Sequence, residues 1–312
     1  MKIGLRSRLL KLYEKALQFY EVCQEEGATE AGKKAAGYLS YKLHPRTLCG
    51  RLINAVQPST AIWQKEWDIC CILDGCRADT FESVFEGEST RIRSIASTSQ
   101  TWIPRTFDQT DTSKLAYITA NPFADRVNPD RFGYFHHEPV EQTDFGIETV
   151  APEKVADHAI YVWRRKEKLD IDKMVVHFMQ PHVPFRDAPS LFEEFSGTST
   201  WGSEMWSKIE SGEIEREAFF SAYRDNLQWV LQQGVEPIRQ NCDGRIALTA
   251  DHGNATGEWG YYGHPRHAPV SSVRVVPWAV IDGVDEGIRT PDIDQVQHSI
   301  DIDKQLSALG YK

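Results

Sequence analysis

From residue 63 onward the chain alternates short apolar runs with helix-length segments. "WDICCILD" (67–74) is apolar throughout except for Asp68 and its last residue, as a strand buried on both faces must be. "LAYITANP" (115–122) is a second run of this kind, ending in the turn pair Asn-Pro. "DKMVVHFMQPH" (172–182), "GRIALTADHG" (244–253) and "VRVVPWAVI" (273–281) give a third, fourth and fifth strand. Between the second and third, residues 152–168 carry Pro near their start and a basic last turn, both helix signals. A longer helix is expected from Ile214 to Val235. Strands separated by helices predict an α/β fold, with a mostly parallel central sheet and helices on both faces.

The first 60 residues read differently. Leu9, Tyr13, Leu17 and Tyr20 recur at helical spacing among Arg8, Lys11 and Lys15, which predicts an amphipathic helix over 4–22. "EEGATEAG" breaks it, a second helical stretch runs from Glu30 to Leu43, and Pro45 and Pro58 punctuate a linker. The expected organisation is a basic helical extension, 1–60, followed by a catalytic domain, 61–312. Charge supports this division. Residues 1–51 hold ten Lys or Arg against five Glu, whereas the remainder holds 25 basic against 40 acidic residues. The acidic body excludes nucleic acid as a main partner. The basic extension either packs on that body or makes peripheral contact with an anionic membrane surface. No apolar run approaches the roughly 18 residues of a membrane span, and the N-terminus lacks the apolar core of a signal peptide. The expected location is the cytoplasm. Six cysteines, three of them in or beside the first strand, show no CxxC pair and read as small buried thiols.

Candidate chemistry lies at the strand ends, where open α/β sheets bind ligands. The first strand ends at Asp74, the fourth in Asp251-His252-Gly253, and the third in His177 followed by Gln180-Pro181-His182. "GEWGYYGHPRHAP" then adds Glu258, His264 and His267. Two carboxylates and an imidazole suit zinc or manganese, with open positions left for substrate.

"CCILDGCRADTF", "HFMQPHVPF" and "LTADHGNATGEWGYYGHP" together resemble the alkaline phosphatase and sulfatase superfamily, in the sulfatase-like branch common in archaea. The resemblance runs from Asp68 to Trp278 and leaves the first 60 residues outside it. It implies a divalent ion held by Asp74, Asp251 and His252: zinc or manganese first, calcium or magnesium as alternatives. His182 and His264 match positions that contact the phosphate or a second, weaker ion, and His177 and Arg77 are further candidates there. Two departures bear on this. Gln180 stands where relatives with two tightly bound ions supply a carboxylate, which favours one tight site. Asn254 stands where a glutamate commonly follows Asp-His-Gly.

Hydrolysing sulfatases make formylglycine from Cys or Ser in a C/S-x-P/A-x-R signature, and no cysteine here has that context. "SIASTSQTWIPRTF" (94–107) offers unmodified hydroxyls instead, at Ser97, Thr98, Ser99 and Thr101. Alignment of Trp102 with the family pattern puts Ser99 at the nucleophile position, with Thr101 as second choice. The bland reading of the same cluster is a helix cap. The expected function is metal-dependent hydrolysis of phosphate esters through this hydroxyl, on a small-molecule, lipid-linked or glycan substrate. The alternatives are transfer of the phosphoryl group to a lipid-linked or glycan acceptor, cleavage of sulfuric esters without formylglycine, and a metal-binding pseudoenzyme.

Overall fold

The computed structural model describes residues 45–191 and 203–293. The expected helices over 4–22 and 30–43 lie outside the described residues. The chain divides into two units, with the boundary between Gln57 and Pro58. In the first, Pro45–Val56 forms helix α1 where a linker was expected. Pro45 is its first residue, a position where the missing N–H goes unused and the fixed φ already suits a helix.

The second unit is built on one seven-stranded sheet. Its strands are β1 (Ile69–Leu73), β2 (Thr90–Arg93), β3 (Leu115–Thr119), β4 (Tyr134–His137), β5 (Lys173–Phe178), β6 (Gly244–Thr249) and β7 (Val275–Gly283). They lie in the order β2-β7-β6-β1-β5-β3-β4, and only β7 runs antiparallel to its neighbours. The mostly parallel sheet matches the expectation from the apolar runs. Strands β2 and β4 did not show in the sequence because they are sheet edges. "TRIR" and "YFHH" each bury only one residue and carry no continuous apolar run.

Helices cover both faces, α2 (Ala78–Val84) among them. Trp102 of α3 (Ser99–Phe107) packs edge-on to His177, with ring centroids 5.7 Å apart. The adjacent Phe178 points to the opposite face. There its ring lies against Gly234, where an added Cβ would come within 2.7 Å of it and 3.1 Å of Pro152, the first residue of α4 (Pro152–Trp163). The long helix outruns its expected end. Arg216–Val230 passes through a π turn, Leu231–Val235, into Glu236–Asn241. The π turn widens the helix just ahead of Pro237, whose ring would clash with a carbonyl of a regular α-helix. Among the described residues no helix is long and apolar enough to cross a membrane.

Register decides where the site forms. Ile72 of β1 lies level with His177 of β5 and Thr249 of β6. The residues that follow these strands therefore leave the sheet side by side at its carboxyl ends, and a small separate apolar cluster includes Val183, Phe185, Phe219 and Tyr223.

Candidate active site

Asp74, Asp251 and His252 converge beyond the ends of β1 and β6, with one ligand-type atom of each lying within 4.8 Å of the others. Backbone and side-chain donors fix which atoms face inward. Gly75 N–H (3.1 Å) and His252 N–H (2.8 Å) both donate to Asp251 Oδ1. Asp251 Oδ2 is left buried without a hydrogen-bond partner. Asn121 Nδ2 donates to Asp74 Oδ2 at 2.7 Å, which turns Oδ1 toward the cluster. His252 Nδ1 lies 3.0 Å from the Gly253 carbonyl, so an Nδ1–H donates there and Nε2 presents its lone pair. That Nε2 is 3.6 Å from Asp74 Oδ1 and 3.5 Å from Asp251 Oδ2.

Two glycines permit this close approach. Gly75 holds φ +65°, a conformation costly for any other residue, in the turn that closes with Cys76 N–H donating to the Leu73 carbonyl. An added Cβ at Gly253 would stand 2.3 Å from the Ser272 carbonyl oxygen.

Of the four candidate hydroxyls, Ser99 alone joins the cluster. Its Oγ is 3.2 Å from His252 Nε2 and 3.4 Å from Asp74 Oδ1. The others serve the backbone. Ser97 Oγ donates to the Pro265 carbonyl and accepts from His267 N–H. Thr98 is the N-cap of α3, accepting from Thr101 N–H at 3.3 Å. Thr101 Oγ1 donates back to the Thr98 carbonyl. Thr98 is thus the helix cap, and its neighbour Ser99 is the hydroxyl that faces the cluster.

Electrostatics at this site ask for a cation. Burial, and then the Asp251 carboxylate, push the Asp74 carboxyl well above its ordinary range. Burial also pushes Asp251 up, but His252, His177 and the donors around it outweigh that and leave it lowered. Two ionised carboxylates with oxygens within 4.8 Å repel by about 3 kcal/mol or more at an effective dielectric of about 20. A divalent ion removes that repulsion and gives Asp251 Oδ2 a partner. Oxygen, nitrogen and hydroxyl donors together fit zinc or manganese.

The remaining candidates divide. Burial lowers the imidazoles of His177 and His182 to about 4 and pushes His264 well down, so all three are neutral and able to act as ligands. His182 and His264 face each other with Nε2 atoms 3.2 Å apart, and the His264 ring stacks on His252 at 4.2 Å. His177 is held through Nδ1 by the Tyr117 hydroxyl at 3.1 Å, and its Nε2 is 3.9 Å from Asp251 Oδ2. Arg77 turns elsewhere. Its guanidinium engages Asp79 (2.9 and 2.6 Å), Glu258 (2.7 Å) and the Asn254 carbonyl (2.7 Å), clamping the Asp-His-Gly loop to the loop after β1. Gln180 also faces away, its amide donating to the Val150 carbonyl at 2.9 Å.

Sequence reasoning missed Asn121 and Tyr223. Asn121 was read only as half of a turn pair, although a polar residue closing a buried strand level with Asp74 was a usable signal. Tyr223 receives Arg77 N–H at 3.0 Å and donates to the Gly75 carbonyl, pinning the Asp74 loop from a helix far away in sequence.

No protein-family model and no curated protein matches the chain. Solved structures that it is similar to include the C-terminal periplasmic domain of phosphoethanolamine transferase EptC from Campylobacter jejuni, at 14% identity and TM-score 0.42, covering 69% of this chain and 78% of that one. Lipooligosaccharide phosphoethanolamine transferase A (EptA) from Neisseria meningitidis, an integral membrane protein, is similar at 13% identity and TM-score 0.43, covering 89% of this chain and 63% of that one. The lipoteichoic acid synthase LtaP from Listeria monocytogenes is similar at 12% identity and TM-score 0.40, covering 78% and 72%.

Proposed function

We propose that this chain is a metal-dependent phosphoester hydrolase of the alkaline phosphatase and sulfatase kind, with Ser99 as its nucleophile. One observation carries the reading: Ser99 Oγ alone among four neighbouring hydroxyls lies within 3.4 Å of the Asp74 and His252 atoms that face Asp251. A divalent ion held by Asp74, Asp251 and His252 would supply Lewis acidity toward the phosphoryl oxygen and lower the pKa of the serine hydroxyl.

The protein's own groups do the rest. Thr98 caps α3 and so fixes Ser99 at the first helical position, where the partial positive charge of the helix end favours a developing alkoxide. Asp74 Oδ1, 3.4 Å from Ser99 Oγ, is a carboxylate oxygen within reach of the serine proton. As the bond from Ser99 Oγ to phosphorus forms, the bond from phosphorus to the leaving ester oxygen breaks. His182 and His264 then bind the non-bridging oxygens. Water attacks the phosphoserine in the second half of the cycle. Transfer to a sugar or lipid hydroxyl is the same chemistry with another acceptor.

The test is to mix the metal-loaded protein with p-nitrophenyl phosphate, quench in acid and map peptides by mass spectrometry. The proposal expects a phosphoryl adduct on Ser99 that is absent from Ser99→Ala. Turnover with the adduct on another residue, or unchanged turnover in Ser99→Ala, sinks it.

A further inference from the structure

The cluster of two carboxylates and one imidazole beside Ser99 is not the only place where ligand-type atoms converge. Along edge strand β4, Tyr134, His136 and Glu138 alternate onto one face, and that face meets helix α4 at His158. His136 Nε2 lies 2.9 Å and His158 Nδ1 3.2 Å from the same oxygen, Glu138 Oε1. All three side chains are largely covered, being 15%, 4% and 13% exposed for His136, His158 and Glu138. Glu138 is fixed at its backbone, its N–H donating to the Thr119 carbonyl at 2.9 Å.

One ligand-type atom of each of these three residues lies within 4.8 Å of the others. His136 Nε2 is buried and makes no hydrogen bond of usable geometry, although Glu138 Oε1 is within reach. The two imidazole rings also lie flat on each other, 3.6 Å between centroids and 15° apart. Two imidazolium rings at that distance would repel. A neutral imidazole in that stack has a lone pair to give.

We propose that His136, Glu138 and His158 form a second metal site, for a first-row transition ion such as zinc, which staples edge strand β4 to helix α4. Two imidazoles and one carboxylate select zinc, nickel, cobalt or copper over magnesium and calcium, and leave a fourth position open. Tyr134 supports the site from behind. Its hydroxyl is 2.7 Å from His158 Nε2 and accepts a hydrogen bond from the Nε2–H when Nδ1 gives its lone pair to the ion. Binding requires the stacked rings to fan apart. The partly exposed His136 makes that movement, since Tyr134 holds His158. The site lies at the same carboxyl ends of the strands as Asp74, but three strands away, about 14 Å at the usual strand spacing.

The test uses the full chain in an Asp251→Asn/His264→Ala background, stripped of metal and titrated with Co(II) and Zn(II). Absorption spectroscopy, calorimetry and thermal melts follow binding. The proposal expects one bound equivalent in this background and a rise in melting temperature with zinc. Both are lost in His136→Ala and in Glu138→Gln, with circular dichroism reporting the fold of each. Tyr134→Phe weakens binding about 10- to 100-fold. If the background binds no equivalent, the cluster is a polar contact only and the proposal fails. It also fails if the bound equivalent and the thermal shift persist in both His136→Ala and Glu138→Gln.

Discussion

Replacing Asn121 by Ala tests how the site orients its ligands. Asn121 is 1% exposed and holds two neighbours at once: its Nδ2 donates to Asp74 Oδ2 at 2.7 Å, and its Oδ1 accepts from Phe123 N–H at 2.9 Å. A hydrogen bond to an ionised group contributes about 1.5–3 kcal/mol. At about 1.4 kcal/mol per decade, its loss lowers affinity for a divalent ion about 10- to 100-fold. The pH dependence has a definite sign. Burial and Asp251 raise the Asp74 carboxyl, whereas the Asn121 donor pulls it down. Without that donor the carboxyl rises further, and an ion must displace its proton at a higher pH. Competition with a chromophoric chelator across the acid-to-neutral range would measure both quantities. In Asn121→Ala the midpoint for metal uptake moves to higher pH and affinity at neutral pH falls. A folded Asn121→Ala protein with wild-type affinity and midpoint would show that Asp74 Oδ1 is not aimed by this bond, or that Asp74 is not a ligand.

Other expectations are as direct. Ser99→Ala lowers phosphoester turnover by at least about a thousandfold while metal content stays at the wild-type level, and Thr101→Ala leaves turnover near wild type. Gly253→Ala forces a Cβ to 2.3 Å from the Ser272 carbonyl and costs about 1–3 kcal/mol in denaturant titrations, with metal affinity falling alongside. Glu138 gives a pH signature in the metal-free protein. Burial raises its carboxyl, but His136 and His158 overcome that and hold it at about 2 against an ordinary 4.5. A depressed carboxyl stabilises the fold fully above 4.5, and that stability is lost as pH falls toward 2. In Glu138→Gln this part of the acid-unfolding curve flattens.

Much of the site was legible because its carriers are central strands. β1, β5 and β6 are covered on both faces, so their sequences are apolar until they leave the sheet. Asp74, His177 and Asp251 therefore stand out against the runs that carry them. Edge strands lack that contrast: β4 reads "YFHH", and its histidines have no visible partner until α4 brings up His158. The direction of β7 was also hidden, since an apolar run buried between neighbours has the same composition in either orientation. Among the hydroxyls at 97–101, residue type cannot tell Ser99 from Thr98. What separates them is which one caps the helix and which lies one residue inside it, and that depends on where α3 begins. Arg77 shows the converse. It was a candidate either to hold a substrate anion or to pair with Asp79; Asp79 engages it, and so does Glu258, which arrives from another loop.

The most direct test of the central claim is metal content by elemental analysis of wild type and Asp251→Ala, with both proteins assayed on mono- and bis-p-nitrophenyl phosphate. The site described here predicts a stoichiometric divalent ion at the catalytic cluster in the wild type, its loss in Asp251→Ala, and phosphoester turnover that falls in step. Wild-type protein that holds no ion there after reconstitution, or Asp251→Ala protein that keeps both its metal and its turnover, would contradict it.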